Sequence, residues 1–175
     1  MTTMDKTATV IPRPRAAGFT LIEIMVAVLI LAIGLLGVAG LEATGLRQNT
    51  SAYQRSQATL LAYDISERMR ANLPGVTNGD YNGAAGTQQT NCTTTQGCSS
   101  AQMAANDIYE WKQAVAARLP SGQGVVCIDS TPNDGTSATS PQCDGVTGAM
   151  YAIKIWWDDN HSGNLSGFFS TTLEP

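Results

Sequence analysis

The chain is 175 residues long, enough for one domain of ordinary size and too short for two independent hydrophobic cores. Its 10 Lys+Arg against 14 Asp+Glu give a formal charge of −4, and no basic cluster follows the first apolar segment, so the electrostatic footprint of a nucleic-acid-binding protein is missing. Hydrophobic residues make up 43% of the chain but aromatics only 6%, so apolar side chains are concentrated rather than spread, and the concentration lies near the N-terminus.

The chain begins with a short basic stretch in which Lys6, Arg13 and Arg15 face a single acid, Asp5. Residues 24–41 (IMVAVLILAIGLLGVAGL) are then uncharged, and as a helix they would span about 27 Å, close to a bilayer core. The preceding cations predict a cytoplasmic N-terminus, with the remainder sent outward. Three ordinary explanations compete: a cleaved secretory signal with Val38-Ala39-Gly40 as its small-residue site, a plain transmembrane anchor, and a buried core helix. Glu23 suits none of them. It interrupts the apolar stretch Phe19-Thr20-Leu21-Ile22-Glu23-Ile24-Met25-Val26, where a carboxylate costs at least about a few kcal/mol unless it finds a partner.

Gly18-Phe19-Thr20-Leu21-Ile22-Glu23, after a basic leader and before an apolar run, resembles the class III signal of type IV pilins and pseudopilins. The resemblance implies that a prepilin peptidase cuts between Gly18 and Phe19, removing residues 1–18, that Phe19 is N-methylated, and that Glu23 guides assembly. It also implies the pilin fold, an α+β architecture with a long N-terminal helix and a head containing a small antiparallel sheet. The partners it implies are other minor and major pilins, the peptidase/methyltransferase and inner-membrane lipid. Cleavage would create an ammonium at Phe19. In apolar surroundings this amine and a neighbour's Glu23 carboxylate partly compensate one another, a pairing that reports axial register more than it adds stability.

Beyond Leu41 the helical pattern turns amphipathic. Leu46, Tyr53 and Leu60 recur at seven, and Ala58, Leu61, Ile65 and Met69 at three or four. Asp64 with Arg68 and Glu67 with Arg70 are suitably spaced helix pairs, and Asn72-Leu73-Pro74-Gly75 is a stop signal. The expected organisation is therefore a membrane or filament-core half of the helix over 19–41, an amphipathic half over 42–73 and a globular head over 74–175. Gly34, Gly37, Gly40 and Gly45 suit either close packing against neighbouring helices or a stretch that can melt and extend.

Residues 76–97 read as a long polar loop. Ser99-Ser100-Ala101-Gln102 offers a capping box for a second helix, whose apolar face is Ile108, Trp111, Val115 and Leu119, with Trp111 as a core anchor. Gly124-Val125-Val126-Cys127-Ile128 is a short strand. Tyr151, Ile153, Ile155 and Trp157 alternate with Ala152, Lys154 and Trp156 in a second, and Phe168-Phe169-Ser170-Thr171-Thr172-Leu173 returns as its partner. Several of these segments, among them Asp107-Ile108-Tyr109-Glu110-Trp111 and Leu119-Pro120-Ser121-Gly122-Gln123-Gly124, are similar to PilV-type minor pilins, which help initiate pilus assembly.

Cys92, Cys98, Cys127 and Cys143 all lie beyond the apolar segment, an even count that suits an oxidising compartment. Three pairings are possible, and the short loops favour Cys92 with Cys98 and Cys127 with Cys143. Their spacings lack the tight C-x2-C of structural zinc sites. His161, the single histidine, lies in Asp158-Asp159-Asn160-His161-Ser162-Gly163-Asn164, which faintly resembles a calcium loop, but the twelfth position is Phe169 where a glutamate is wanted, so a polar hairpin turn is expected. No phosphate loop, HExxH or GxSxG occurs, so neither a catalytic residue nor a cofactor is expected. Two roles outside enzymology remain: a structural subunit, of a pilus or of a type II secretion pseudopilus, and a tip-located binding module using the polar loops 76–97 and 129–147.

Overall fold

A computed structural model describes residues 18–174, and these fall into two compact units divided between Thr44 and Gly45. The leader residues Asp5, Lys6, Arg13 and Arg15 lie outside the described part.

The described residues of the first unit, 18–44, are all exposed, and from Leu21 onward they are helical. Helix α1 (Leu21–Ala71) is continuous through Gly34, Gly37, Gly40 and Gly45, and a Cβ added at any of these glycines would meet open space. Such positions suit close approach by another helix. The segment is long and apolar enough to cross a membrane, and none of its apolar window is buried within the chain.

The second unit opens with the rest of α1, where the two periodicities separate. Ala58, Leu61, Ile65 and Met69 are buried at 1% exposure or less, whereas Leu46, Tyr53 and Leu60 stay 68%, 62% and 57% exposed. The helix stops at Ala71 as the Pro74 signal requires, since proline removes a donor and disfavours helix in the residue before it. The chain does not simply enter a loop, however. It resumes as α2 (Leu73–Thr77), with Pro74 tolerated in the first turn. Asn72 bridges the break by donating to Tyr81 Oη at 3.1 Å and to the carbonyl of Ser100 at 2.8 Å.

Residues 78–99 form turns and a 3-10 turn at Thr90–Thr93, closed by the Cys92–Cys98 disulfide. Helix α3 (Ser100–Arg118) begins on the expected capping box, with both reciprocal Ser99–Gln102 bonds present. Its Ile108, Trp111 and Val115 are fully buried, and Trp111 Nε1 donates to the Leu61 carbonyl at 2.9 Å, tying α3 to α1. Strands β1 (Gln123–Ile128), β2 (Tyr151–Trp157) and β3 (Gly167–Leu173) form an antiparallel sheet in that order, with Val126 opposite Ile153 and Ile155 opposite Phe169. Gly124 is required by close approach, because a Cβ there would come 2.5 Å from the Trp111 ring.

Both faces of β2 are covered. Tyr151, Ile153, Ile155 and Trp157 enter the main core with α1 and α3. On the other face Trp156 packs with Val125 and Cys127 in a smaller cluster that Ala138, Cys143, Leu165 and Phe168 flank. The loop that follows β1, closed by the Cys127–Cys143 disulfide, thus supplies part of a lid for the outer face. Lys154 lies beneath this loop with no exposure.

Candidate functional site

Phe19, Thr20 and Glu23 come together at the start of α1. Thr20 precedes the first helical residue, and its hydroxyl and carbonyl accept the Glu23 N–H at 3.3 and 3.1 Å. Threonine thus caps the helix, with Glu23 three residues later in the first turn, where the helix dipole favours negative charge. The spacing T-x-x-E is the signature of a capping box, so this local role was legible in the sequence. Among the described residues the Glu23 carboxylate accepts no hydrogen bond and forms no salt bridge. Phe19 is 79% exposed, and Phe19, Glu23, Ile24, Ala27, Val28 and Leu31 line one shallow groove along the helix. A lone carboxylate inside an exposed apolar helix can pair with a cation offered by another molecule.

The cysteines are joined as Cys92–Cys98 and Cys127–Cys143. The sulfurs of Cys127 and Cys143 and a carboxylate oxygen of Asp129 lie within 4.8 Å of one another, but sulfurs bonded to each other are not the thiolates a metal needs. Asp158, the first residue of the calcium-like heptad, is 4% exposed, and its carboxylate accepts the N–H groups of Ser162 and Gly163 at 3.0 and 2.7 Å. Asn160 Oδ1 accepts from Ser162 N as well, at 3.2 Å, and His161 takes a left-handed φ of 55°. The segment therefore makes a hairpin turn whose carboxylate is engaged by its own amides, while Phe169 stands within β3.

Two polar constellations escaped the sequence reading because they depend on tertiary contacts. Arg68 gathers Asp64 at 3.2 Å, Glu110 at 2.8 Å and Asp107 at 3.5 Å, linking α1 to α3. Arg68 bonding holds the Glu110 carboxyl below its usual range, while burial pushes Asp107 up. Tyr81, read as part of a loop, is fully buried and donates to Asp107 at 2.6 Å. The second constellation surrounds Lys154. Its Nζ lies 2.5 Å from Asp129 Oδ2 and donates to Asp134 Oδ1 at 2.6 Å and to the Pro141 carbonyl at 2.8 Å. The Asp129 contact is off the direction of a hydrogen bond and is an attraction of charges. Both constellations hold the fold together; neither presents a nucleophile and base to a cleft.

Two family models match consecutive stretches of the chain: the prokaryotic N-terminal methylation motif over residues 13–39, and type IV pilin Tt1218 over residues 40–109. No curated protein and no solved structure matches. The first stretch carries Gly18, Phe19 and Glu23, and the second carries the amphipathic half of α1, the Cys92–Cys98 loop and the first half of α3. With a long N-terminal helix, a three-stranded antiparallel sheet and two disulfides completing the pattern, the chain belongs to the type IV pilin family as a structural subunit.

Proposed function

We propose that this pilin is a minor pilin, a low-abundance subunit that helps initiate pilus assembly with other pilins. Residues 1–18 are a leader cut off between Gly18 and Phe19, and Phe19 is then N-methylated. Residues 19–41 anchor the subunit in the bacterial inner membrane with its N-terminus cytoplasmic, and 42–73 lead to a periplasmic head over 74–175. The observation that carries this reading is the exposed apolar start of α1, interrupted only by Glu23 in its first turn. A side chain desolvated without a partner is costly, so Glu23 has its place if a neighbour's Phe19 amine meets it. The two disulfide-closed loops and the likeness to PilV-type segments support a minor over a major subunit.

Glu23→Ala tests the pairing. Expressed at equal level with wild type, it should enter the membrane, lose its leader and fold its head, but be depleted in sheared pili and in pull-downs with partner pilins. Equal recovery of both would sink the pairing role. The abundance of the wild-type protein relative to the main subunit in the same sheared pili tests the minor assignment, and its absence from pili alongside presence in a secretion pseudopilus would favour the pseudopilin alternative.

A further inference from the structure

Within the second unit, the β2–β3 turn approaches the start of its α1 segment and encloses a groove of about 690 Å3 that contains Arg47, Ser51, Asp159 and His161. The turn is fastened by Ser51 Oγ, which donates to Asp159 Oδ2 at 2.7 Å, and by Trp157 Nε1, which donates to Oδ1 at 2.9 Å. Asp159 is thereby held in one orientation. Its donors, a hydroxyl and an indole N–H, carry no charge, and each carboxylate oxygen retains a free lone pair. Arg47 is exposed, and neither it nor Asp159 has an ion-pair partner among the described residues. One groove thus presents an unpaired cation and an unpaired, immobilised anion.

Arg47 follows Leu41, the last residue of the uncharged run, by six positions, which is about 9 Å along a helix. The headgroup layer extends about 5–8 Å beyond the hydrocarbon on each side. An arginine at this distance meets lipid phosphates from the water side, where guanidinium recognises phosphate oxygens well. We infer that this groove binds the headgroup of an aminophospholipid, with Arg47 on the phosphodiester and Asp159 on the primary ammonium. The inference rests on the membrane-anchored reading above. Charge selects the ligand: Asp159 repels a purely anionic headgroup, and a quaternary ammonium has no N–H to donate to it. The bound lipid seats the head while the subunit waits in the membrane, and it must leave when the subunit enters a filament.

The test reconstitutes the full-length chain into nanodiscs containing equal amounts of phosphatidylethanolamine and phosphatidylcholine, with fixed phosphatidylglycerol. Lipid retained after mild detergent extraction is then identified by native mass spectrometry. Wild type should retain phosphatidylethanolamine over phosphatidylcholine by about two- to fivefold, the discrimination a partly solvated ion pair supplies. Arg47→Gln should reduce total phospholipid retention, because it removes the phosphate contact common to both lipids. Asp159→Asn should bring the ratio close to one, and near-UV circular dichroism checks that its head remains folded. Equal retention of the two lipids by wild type overturns the proposal, as does retention unchanged in Arg47→Gln, an exposed side chain whose loss leaves the head intact. A chain that enters the nanodiscs without lipid preference leaves the anchor reading standing and removes only the groove's role. A chain that does not enter them removes both.

Discussion

Lys154→Met is the most informative perturbation of the head, because it replaces a fully buried ammonium with an apolar side chain of similar length. The substitution fits the space but strands the Asp129 carboxylate, which is itself fully buried and loses the cation 2.5 Å away. Removing one partner of a buried pair costs about 3–5 kcal/mol, most of it the desolvation of the charge left behind. For a head of this size that is a fall in melting temperature of roughly 10–20 °C. Asp134→Asn removes another neighbour of the same ammonium, but the Asp134 side chain is 42% exposed and water can take its place, so a far smaller loss is expected. Thermal unfolding of the full chain in detergent micelles, followed by near-UV circular dichroism and tryptophan fluorescence, measures both. The double variant Lys154→Met/Asp129→Asn should recover a large part of the loss, since no full charge remains buried. If Lys154→Met alone stayed within about 1 kcal/mol of wild type, the argument from the uncompensated charge would be refuted.

Four further outcomes follow from the same geometry. Intact-mass analysis of membrane-extracted protein should find an N-terminus at Phe19, with formal side-chain charge going from −4 to −6 as Lys6, Arg13, Arg15 and Asp5 leave; an N-terminus near Leu41 would instead establish an ordinary signal peptide. Replacing both members of the Cys127–Cys143 bridge by Ser should cost about 3 kcal/mol and opening Cys92–Cys98 about 2.5 kcal/mol by loop closure, with the first also unpacking the Trp156 cluster, as denaturant titration would reveal. Gly124→Ala should destabilise by about 1–3 kcal/mol through overlap with Trp111, and a neutral result would mean that α3 shifts freely. Asp134, held low by its bond to Lys154, and Glu110, held low by Arg68, contribute stability above the usual carboxylate range. That contribution is lost as pH falls below about 4, so a pH series of melting temperatures should decline there, and less steeply in Asp134→Asn.

Local periodicity and local turn chemistry were enough to find the elements. The stripe Ala58, Leu61, Ile65 and Met69 marks the buried face of α1, and Ser99 with Gln102 marks the start of α3, because each rests on residues three or four apart on one helix. The features that stayed hidden all need partners distant in the chain. Tyr81 stands in a stretch rich in Gly, Asn and Asp that reads as loop, yet Asn72 and Asp107 satisfy its hydroxyl from either side and allow the ring to be buried. Lys154 stands among the residues that alternate with Tyr151, Ile153, Ile155 and Trp157, on the face that a one-sided antiparallel sheet leaves to water. It is buried because the disulfide-closed loop folds over that face and brings Asp129, Asp134 and the Pro141 carbonyl to one nitrogen.

The same contrast separates the two stripes of α1. A repeat at seven and a repeat at three or four are equally visible in the sequence, and only packing decides which one the head uses. The head takes Ala58, Leu61, Ile65 and Met69 and leaves Leu46, Tyr53 and Leu60 in solvent. For an isolated globular protein an exposed apolar row of this kind would be a liability. In a pilin, whose family implies other pilins as partners, such a row can be covered by another subunit. The two ends of Glu23 differ in the same way. Its backbone N–H is satisfied within the chain by Thr20, which secures the first turn, and its carboxylate has no partner among the described residues. Folding can therefore finish without the carboxylate, and under the proposed pairing an apolar filament interior would leave it unpaired only at a cost of about a few kcal/mol. That separation is why Glu23→Ala should spare the head and impair the filament.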